Sequence, residues 1–158
     1  MEPEEARDFF KRFMKEALVE ARRAYEAGEV PVGAVVVDAE GRVLARGFNK
    51  PIQSLDPTAH AEVVALRRAC AAVGNYRLPG ATLFATLEPC LLCAGACLHA
   101  RIDRLVFGAR DPKGGAVRSL WRLLDDPRNN HRITIVEGVL SEECAALLQD
   151  FFRSRRRS

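Results

Sequence analysis

The sequence predicts an α/β fold, a three-layer α/β/α sandwich built on a five-stranded mixed sheet with helices on both faces. Two observations carry this. Helix-period and strand-period segments alternate in the order αββαβαβαβα, and such a chain buries its apolar faces by laying helices on a sheet. The later strands are joined through helices, which favours parallel pairing, whereas the first two are joined by a short turn and pair antiparallel.

The elements follow in order. Residues near 5–27 carry Phe9, Phe10, Phe13, Ala17, Leu18, Ala21, Ala24 and Tyr25 at spacings of three and four, an amphipathic helix ended by Gly28. Val30 to Val37 and Arg42 to Phe48 read as strands joined through Asp38-Ala39-Glu40-Gly41. Asn49 to Pro57 reads as a loop, with Asp56 as N-cap and Pro57 as the first position of a helix to about Val73. A connection at 74–80 leads to a strand from Ala81 to Leu87, and Pro89 starts a helix to about Ala100. Ile102 to Phe107 is a strand, followed by a loop containing Asp111-Pro112-Lys113-Gly114-Gly115 and a short helix around Ser119 to Leu124. Arg132 to Val136 is the fifth strand, and Ser141-Glu142-Glu143 opens a final helix reaching Phe152. No repeat or linker divides the chain, so residues 1–158 are expected to form a single domain with a basic C-terminal tail from about 153 to 158.

Composition removes several classes of function. With 158 residues, 48% hydrophobic and 28% charged, the chain has room for a core and needs no disulfide staples. No apolar run approaches the roughly 20 residues needed to cross a bilayer, and Met1-Glu2-Pro3-Glu4-Glu5 does not resemble a secretory signal. A cytoplasmic location with no membrane partner is the expectation. Five cysteines, an odd count, argue for metal ligands plus free thiols, with Cys70 and Cys144 read as core residues. The net charge of +3 is uneven: four arginines lie in the last eight residues, and without them the chain would stand at −1. That tail could meet phosphates or could be a solvated terminus. Gly114-Gly115 lacks the flanking strand and spacing of a phosphate cradle and reads as a loop.

The chemistry-bearing segments are His60-Ala61-Glu62 and Pro89-Cys90-Leu91-Leu92-Cys93. Two thiolates and one imidazole suit zinc, and three protein ligands leave a fourth position for water, where a structural site would close with four. Cys90 and Cys93 stand one turn apart at a helix start, where the helix end favours thiolate. Residues two apart inside a helix point to nearly opposite sides, so Glu62 can share a site with His60 only if the pair stands at a helix start. There its carboxylate would serve as proton shuttle without ligating the metal. Cys-x-x-Cys after a strand can also be a redox pair, and Cys97 could supply a fourth ligand, although it recedes from the helix end. His99 and His131 have no partner at metal spacing, and Glu88 reads as a residue ending a strand.

His-x-Glu followed by Pro-Cys-x-x-Cys is the signature of the zinc nucleobase deaminases. The resemblance extends further, through Glu29-Val30-Pro31-Val32-Gly33-Ala34, Asp56-Pro57-Thr58-Ala59-His60, Asn75-Tyr76-Arg77-Leu78, Thr86-Leu87-Glu88-Pro89-Cys90, Phe107-Gly108-Ala109-Arg110-Asp111 and Glu143-Cys144-Ala145-Ala146-Leu147-Leu148. From about residue 10 to 153 the chain is similar to the bacterial tRNA-specific adenosine deaminases, which implies a cytidine deaminase-like fold. The resemblance implies that His60, Cys90 and Cys93 bind Zn2+, one per subunit, and that Glu62 is catalytic. The implied reaction is hydrolytic deamination of adenosine to inosine at the wobble position (34) of a tRNA anticodon. It further implies that Asn49 bonds the flipped nucleotide, that the backbone near Ala61 and Cys90 holds the reacting group, and that Glu29, Val30, Pro31, Asp111 and Lys113 line a pocket for the anticodon loop. Arg153 would contact the RNA backbone, and the protein would act as a homodimer on a tRNA anticodon stem-loop. Two rivals stand beside this: a zinc deaminase of a free base, nucleoside or nucleotide (cytosine, cytidine, deoxycytidylate or guanine), and a non-catalytic zinc-stabilised RNA-binding module.

Overall fold

The structure, a computed structural model, describes residues 2–156. Helix α1 (Pro3–Glu26) packs Phe13, Met14, Ala17, Leu18, Ala21 and Ala24 inward, as the three-four spacing requires. The hairpin β1 (Gly33–Val37) and β2 (Val43–Phe48) follows, then a single-turn helix α2 (Pro51–Ser54) where the sequence predicts a loop. Next come α3 (Ala61–Val73), β3 (Thr82–Leu87), α4 (Leu91–Ala100), β4 (Arg104–Ala109), β5 (Thr134–Val136) and α5 (Ser141–Arg156). The strand order is β2-β1-β3-β4-β5. The hairpin and the β1–β3 pair are antiparallel, while β3–β4 and β4–β5 are parallel.

Strand alternation divides the core into two layers. Ala34, Val36, Leu83, Leu105 and Phe107 face Ala61, Ala65, Ala69, Ala94 and Cys97 of α3 and α4. Val35, Val37, Phe84 and Val106 face Phe13, Met14, Leu18 and Cys144 of α1 and α5. The α/β/α sandwich and its mixed sheet are thus as the sequence predicts.

Several boundaries differ for identifiable reasons. Helix α3 begins at Ala61 rather than Pro57, because the chain first makes tight turns, Ala59 N–H to Asp56 O (3.1 Å) and His60 N–H to Thr58 O (2.8 Å), before the helical bond from Val64 N–H to His60 O (2.9 Å). Helix α4 begins at Leu91, two residues beyond Pro89. No helix forms over Ser119–Leu124: the N–H of Leu123, which would close the first helical turn on Ser119, bonds Ala116 O instead (2.9 Å), and that of Leu120 bonds Gly115 O (2.9 Å). The tail differs too, for Arg153, Arg155 and Arg156 continue α5 as helix; Arg157 and Ser158 lie outside the described residues. Cys144 is buried as expected, whereas Cys70 is only partly buried. Among the described residues no helix is long and apolar enough to cross a membrane.

Gly47 sets how closely α3 approaches the sheet. A Cβ there would stand 2.8 Å from both the Ala61 carbonyl oxygen and the Ala65 nitrogen, backbone atoms that cannot step aside. Gly47→Ala is therefore expected to destabilise the fold by about 1–3 kcal/mol through overpacking. Because it pushes on the start of α3, deaminase-type activity measured on the remaining folded protein should also fall.

Candidate metal centre and active site

The C-terminal ends of β3 and β4 open onto one edge of the sheet, where α/β folds gather their sites. Past β3, the chain runs through Glu88 and Pro89 to Cys90, which stands in extended conformation (φ −79°, ψ −178°) at the N-cap of α4. His60 holds the same position at α3 (φ −71°, ψ 151°). Neither side chain caps its own helix, so both are available to a ligand. Two positive helix ends therefore converge on one place, which favours thiolate over thiol.

His60 Nδ1 stands 3.5 Å from Cys90 Sγ and 3.4 Å from Cys93 Sγ. Bonds of about 2.3 Å to sulfur and about 2.0–2.1 Å to imidazole, at tetrahedral angles, put N and S about 3.5 Å apart, so the donor set fits zinc. Among the described residues, His60, Cys90 and Cys93 form the metal-competent group, with ligand atoms all within 4.8 Å of one another. Neither Cys97 nor Glu62 joins it. Cys97 is buried, and its thiol is held high by that burial. The three ligands influence one another before any ion binds. A hydrogen bond from Cys93 draws Cys90 toward thiolate, Cys93 retains its proton, and the Cys90 contact raises His60.

Glu62 lies in the first turn of α3 at 4% exposure, in the company of His60, Cys90 and Cys93. Burial raises its carboxyl to about 7. A group that is half protonated near neutrality can both accept and return a proton.

The surrounding candidates divide. Asn49 follows β2 with its N–H on the Val32 carbonyl (3.0 Å), and the next N–H, of Lys50, bonds Ala59 O (3.0 Å), which ties this strand end to the start of α3. Ala61 is the buried first residue of α3. Val30, Asp111, Lys113 and Arg153 share a groove of about 920 Å³, together with Arg110 and Arg156. Glu29 and Pro31 do not line it. Glu29 is 2% exposed and its carboxylate accepts the N–H groups of Ile52 (3.2 Å) and Gln53 (2.8 Å), so it caps α2; Pro31 is buried. His99 is exposed, and His131 bonds the Ile102 carbonyl at 2.7 Å.

Residues 8–109 match the family model described as the cytidine and deoxycytidylate deaminase zinc-binding region. The chain belongs to this deaminase family. The tRNA-specific adenosine deaminase of Haemophilus influenzae is 49% identical over 149 residues, spanning 94% of this chain and 86% of that protein. A solved structure from a study of A-to-I editing by tRNA:A34 deaminases at the wobble position of transfer RNA superposes with a TM-score of 0.83 at 51% identity, covering 87% of this chain and 99% of that one. The guanine deaminase of Nitrosomonas europaea superposes at 0.76 with 25% identity, covering 87% and 81%.

The largest feature of this deaminase site missed from sequence is Glu88. Read as a strand-ending residue, it is in fact buried and accepts bonds from Asp111, Val117, Arg118 and Ser119. The available signals were a carboxylate directly before the Pro-Cys segment and a glycine pair in the facing loop.

The raised Glu62 carboxyl ties stability to pH. Its folded value, about 7, lies above the ordinary 4.5, so folded protein holds an extra proton between those values. This contribution is complete below pH ~4.5 and is lost as pH rises through ~7. In zinc-depleted protein, the unfolding free energy of the wild type should fall relative to Glu62→Gln by about 3 kcal/mol across that window. A pH-independent difference between the two in denaturant titrations would contradict the assignment.

Proposed function

We propose that this chain is a zinc-dependent tRNA adenosine deaminase that converts adenosine to inosine at the wobble position of the anticodon. The observation that carries the reaction is a buried carboxyl, Glu62, held near neutrality beside a set of three ligands, one fewer than a closed structural zinc site uses. The substrate rests on likeness: 42–51% identity to tRNA-specific adenosine deaminases, against 25–31% to guanine deaminases.

His60, Cys90 and Cys93 would hold one zinc ion per subunit. When bound, zinc supplies a Lewis acid that brings water's pKa down toward neutrality. Glu62 would take one proton from the attacking water and deliver it to the adenine ring nitrogen, then take the second from the hydroxyl newly formed at C6 and deliver it to the departing amine. Water adds at C6, the C–N bond breaks, and ammonia and inosine result. Asn49 would bond the flipped nucleotide, and the first-turn amides near Ala61 and Cys90 would hold the reacting group. Val30, Asp111 and Lys113 would form the wall around splayed anticodon bases, which is how RNA loops are read. Pro31 would support that wall from beneath, and Glu29 would support it by fixing α2.

A homodimer would use the face between α3 and α4. Val63, Leu66, Cys70, Tyr76, Leu92 and Ala96 line an apolar groove of about 720 Å³ there, beside the exposed side chain of Leu91. One domain, a cytoplasmic location and no membrane partner complete the reading.

Arg153, Arg155 and Arg156 border the groove that holds Lys113. Truncation after Phe152 should weaken RNA binding and make the salt dependence shallower, by about one unit of log–log slope for each phosphate no longer neutralised. Binding titrations over a range of salt check this, and an unchanged slope would return the tail to a solvated terminus.

The decisive assay offers an anticodon stem-loop containing ACG, cytidine and guanine side by side. Inosine in the stem-loop is the expected product, and turnover of only the small molecules would overturn the substrate assignment.

A further inference from the structure

We propose that Glu88 is a positioning residue for the substrate wall, a single buried carboxylate that fixes the 111–119 loop against the metal-ligand segment. The inference rests on the deaminase reading above. It adds a residue that does not touch substrate and acts through Asp111 and Lys113.

Glu88 stands one residue after β3 and two before Cys90, at 2% exposure. Its Oε1 accepts Asp111 N–H (3.0 Å) and the Ser119 hydroxyl (2.5 Å). Its Oε2 accepts the N–H groups of Val117 (3.1 Å), Arg118 (2.7 Å) and Ser119 (2.9 Å). Both ends of one loop are therefore gathered on one side chain. Backbone bonds add two ties, Glu88 N–H to Ala109 O (2.8 Å) and Ala116 N–H to Pro89 O (2.9 Å).

Between these anchor points, Asp111 turns its own carboxylate inward. It accepts Lys113 N–H (3.1 Å) and Gly114 N–H (3.2 Å), and its carbonyl accepts Gly115 N–H (2.9 Å). Gly115 packs so tightly on Glu88 that an added Cβ would collide with the carboxylate. The position of Lys113 in the groove is thus set by Asp111, and that of Asp111 by Glu88.

A carboxylate is the side chain that this arrangement needs. Five donors require an acceptor on both oxygens, and ionised Asp or Glu is acceptor-only. A glutamine would turn one side into a donor and leave at least two loop donors facing an NH2 group. An aspartate, one methylene shorter, would withdraw from both ends of the loop. The loop takes no part in the sheet pairing, so the fold's strand order does not depend on this cluster. What depends on it is the registration of the groove wall to Cys90.

The test compares wild type, Glu88→Gln, Ser119→Ala, Gly115→Ala, and Glu88→Ala with and without Gly115→Ala. All are measured as zinc-loaded full-length protein on the ACG stem-loop. Glu88→Gln should raise KM about tenfold or more while kcat stays within about threefold and zinc content matches wild type. Ser119→Ala should raise KM a few-fold. Gly115→Ala should behave like Glu88→Gln in the wild-type background yet cost nothing further in Glu88→Ala, where the space is free.

Unchanged KM in folded, zinc-loaded variants would overturn the proposal, as would a loss of activity traced wholly to lost zinc. If Glu88→Gln does not fold, Ser119→Ala and Gly115→Ala decide by the same criterion. Amide hydrogen exchange over 111–119 gives a readout that needs no substrate: protection should drop in Glu88→Gln or Ser119→Ala, and unchanged protection would overturn the proposal. Wild-type protein that makes no inosine would instead refute the deaminase reading and leave the exchange result to judge Glu88.

Discussion

Replacing Glu62 with alanine is expected to lower kcat for inosine formation by about 10²–10⁴-fold, the usual contribution of a positioned proton-transfer group. Zinc content and stem-loop affinity should stay near wild type. The reason is geometric, since Glu62 lies beside the ligand set without belonging to it, so removing it takes away proton transfer and leaves the metal donors in place. Quench-flow or end-point inosine assays, metal analysis and binding titrations together read this. Activity within a few-fold of wild type would refute the shuttle role. Loss of zinc alongside activity would show that Glu62 acts as a ligand instead.

Replacing His60 with alanine should have the opposite signature, with zinc lost and inosine formation lost with it. Two thiolates on one helix turn cannot hold a four-coordinate ion at useful affinity once the only imidazole is gone. Binding at 100-fold excess over Kd stabilises a folded state by about 2.7 kcal/mol, so the variant should also forfeit roughly that much thermal or chemical stability relative to zinc-loaded wild type. A chelator should lower the wild-type Tm and leave that of His60→Ala almost unchanged. Full zinc retention in the variant would mean that another residue completes the site, with Cys97 the first to test.

Much of this was legible in the chain because it depends on local rules. The continuous apolar run at Ala34 to Val37 marks a strand buried on both faces, and three-four spacing at Phe13 to Ala24 marks the stripe that α1 buries, so the sandwich could be read directly. The metal trio was legible because ligand chemistry restricts it to few residue types at few spacings. Helix starts were harder. Asp56-Pro57 looks like a cap and first position, and Asp56 does accept the Thr58 N–H, yet Ala59 and His60 close tight turns on Asp56 O and Thr58 O, and the helix waits until Ala61. That delay places His60 at the N-cap and Glu62 in the first turn, which strengthens the condition the sequence had set for the pair.

The residues that could not be read are those whose role depends on distant partners. Glu29 reads as a wall residue by resemblance, and nothing local shows that its carboxylate caps a helix more than twenty positions away. Glu88 looks like a strand end and gathers donors from 111 to 119. The helix expected over Ser119–Leu124 is absent because Leu120 and Leu123 turn their N–H groups back onto Gly115 O and Ala116 O. Local periodicity carries no record of a carboxylate arriving from another strand.

Mapping inosine at position 34 of tRNA from cells that make this protein and cells that lack it tests the wobble deamination itself. Inosine should disappear in its absence, return with the wild-type chain and not return with Glu62→Ala. Inosine at position 34 that persists unchanged in cells lacking the protein would contradict it.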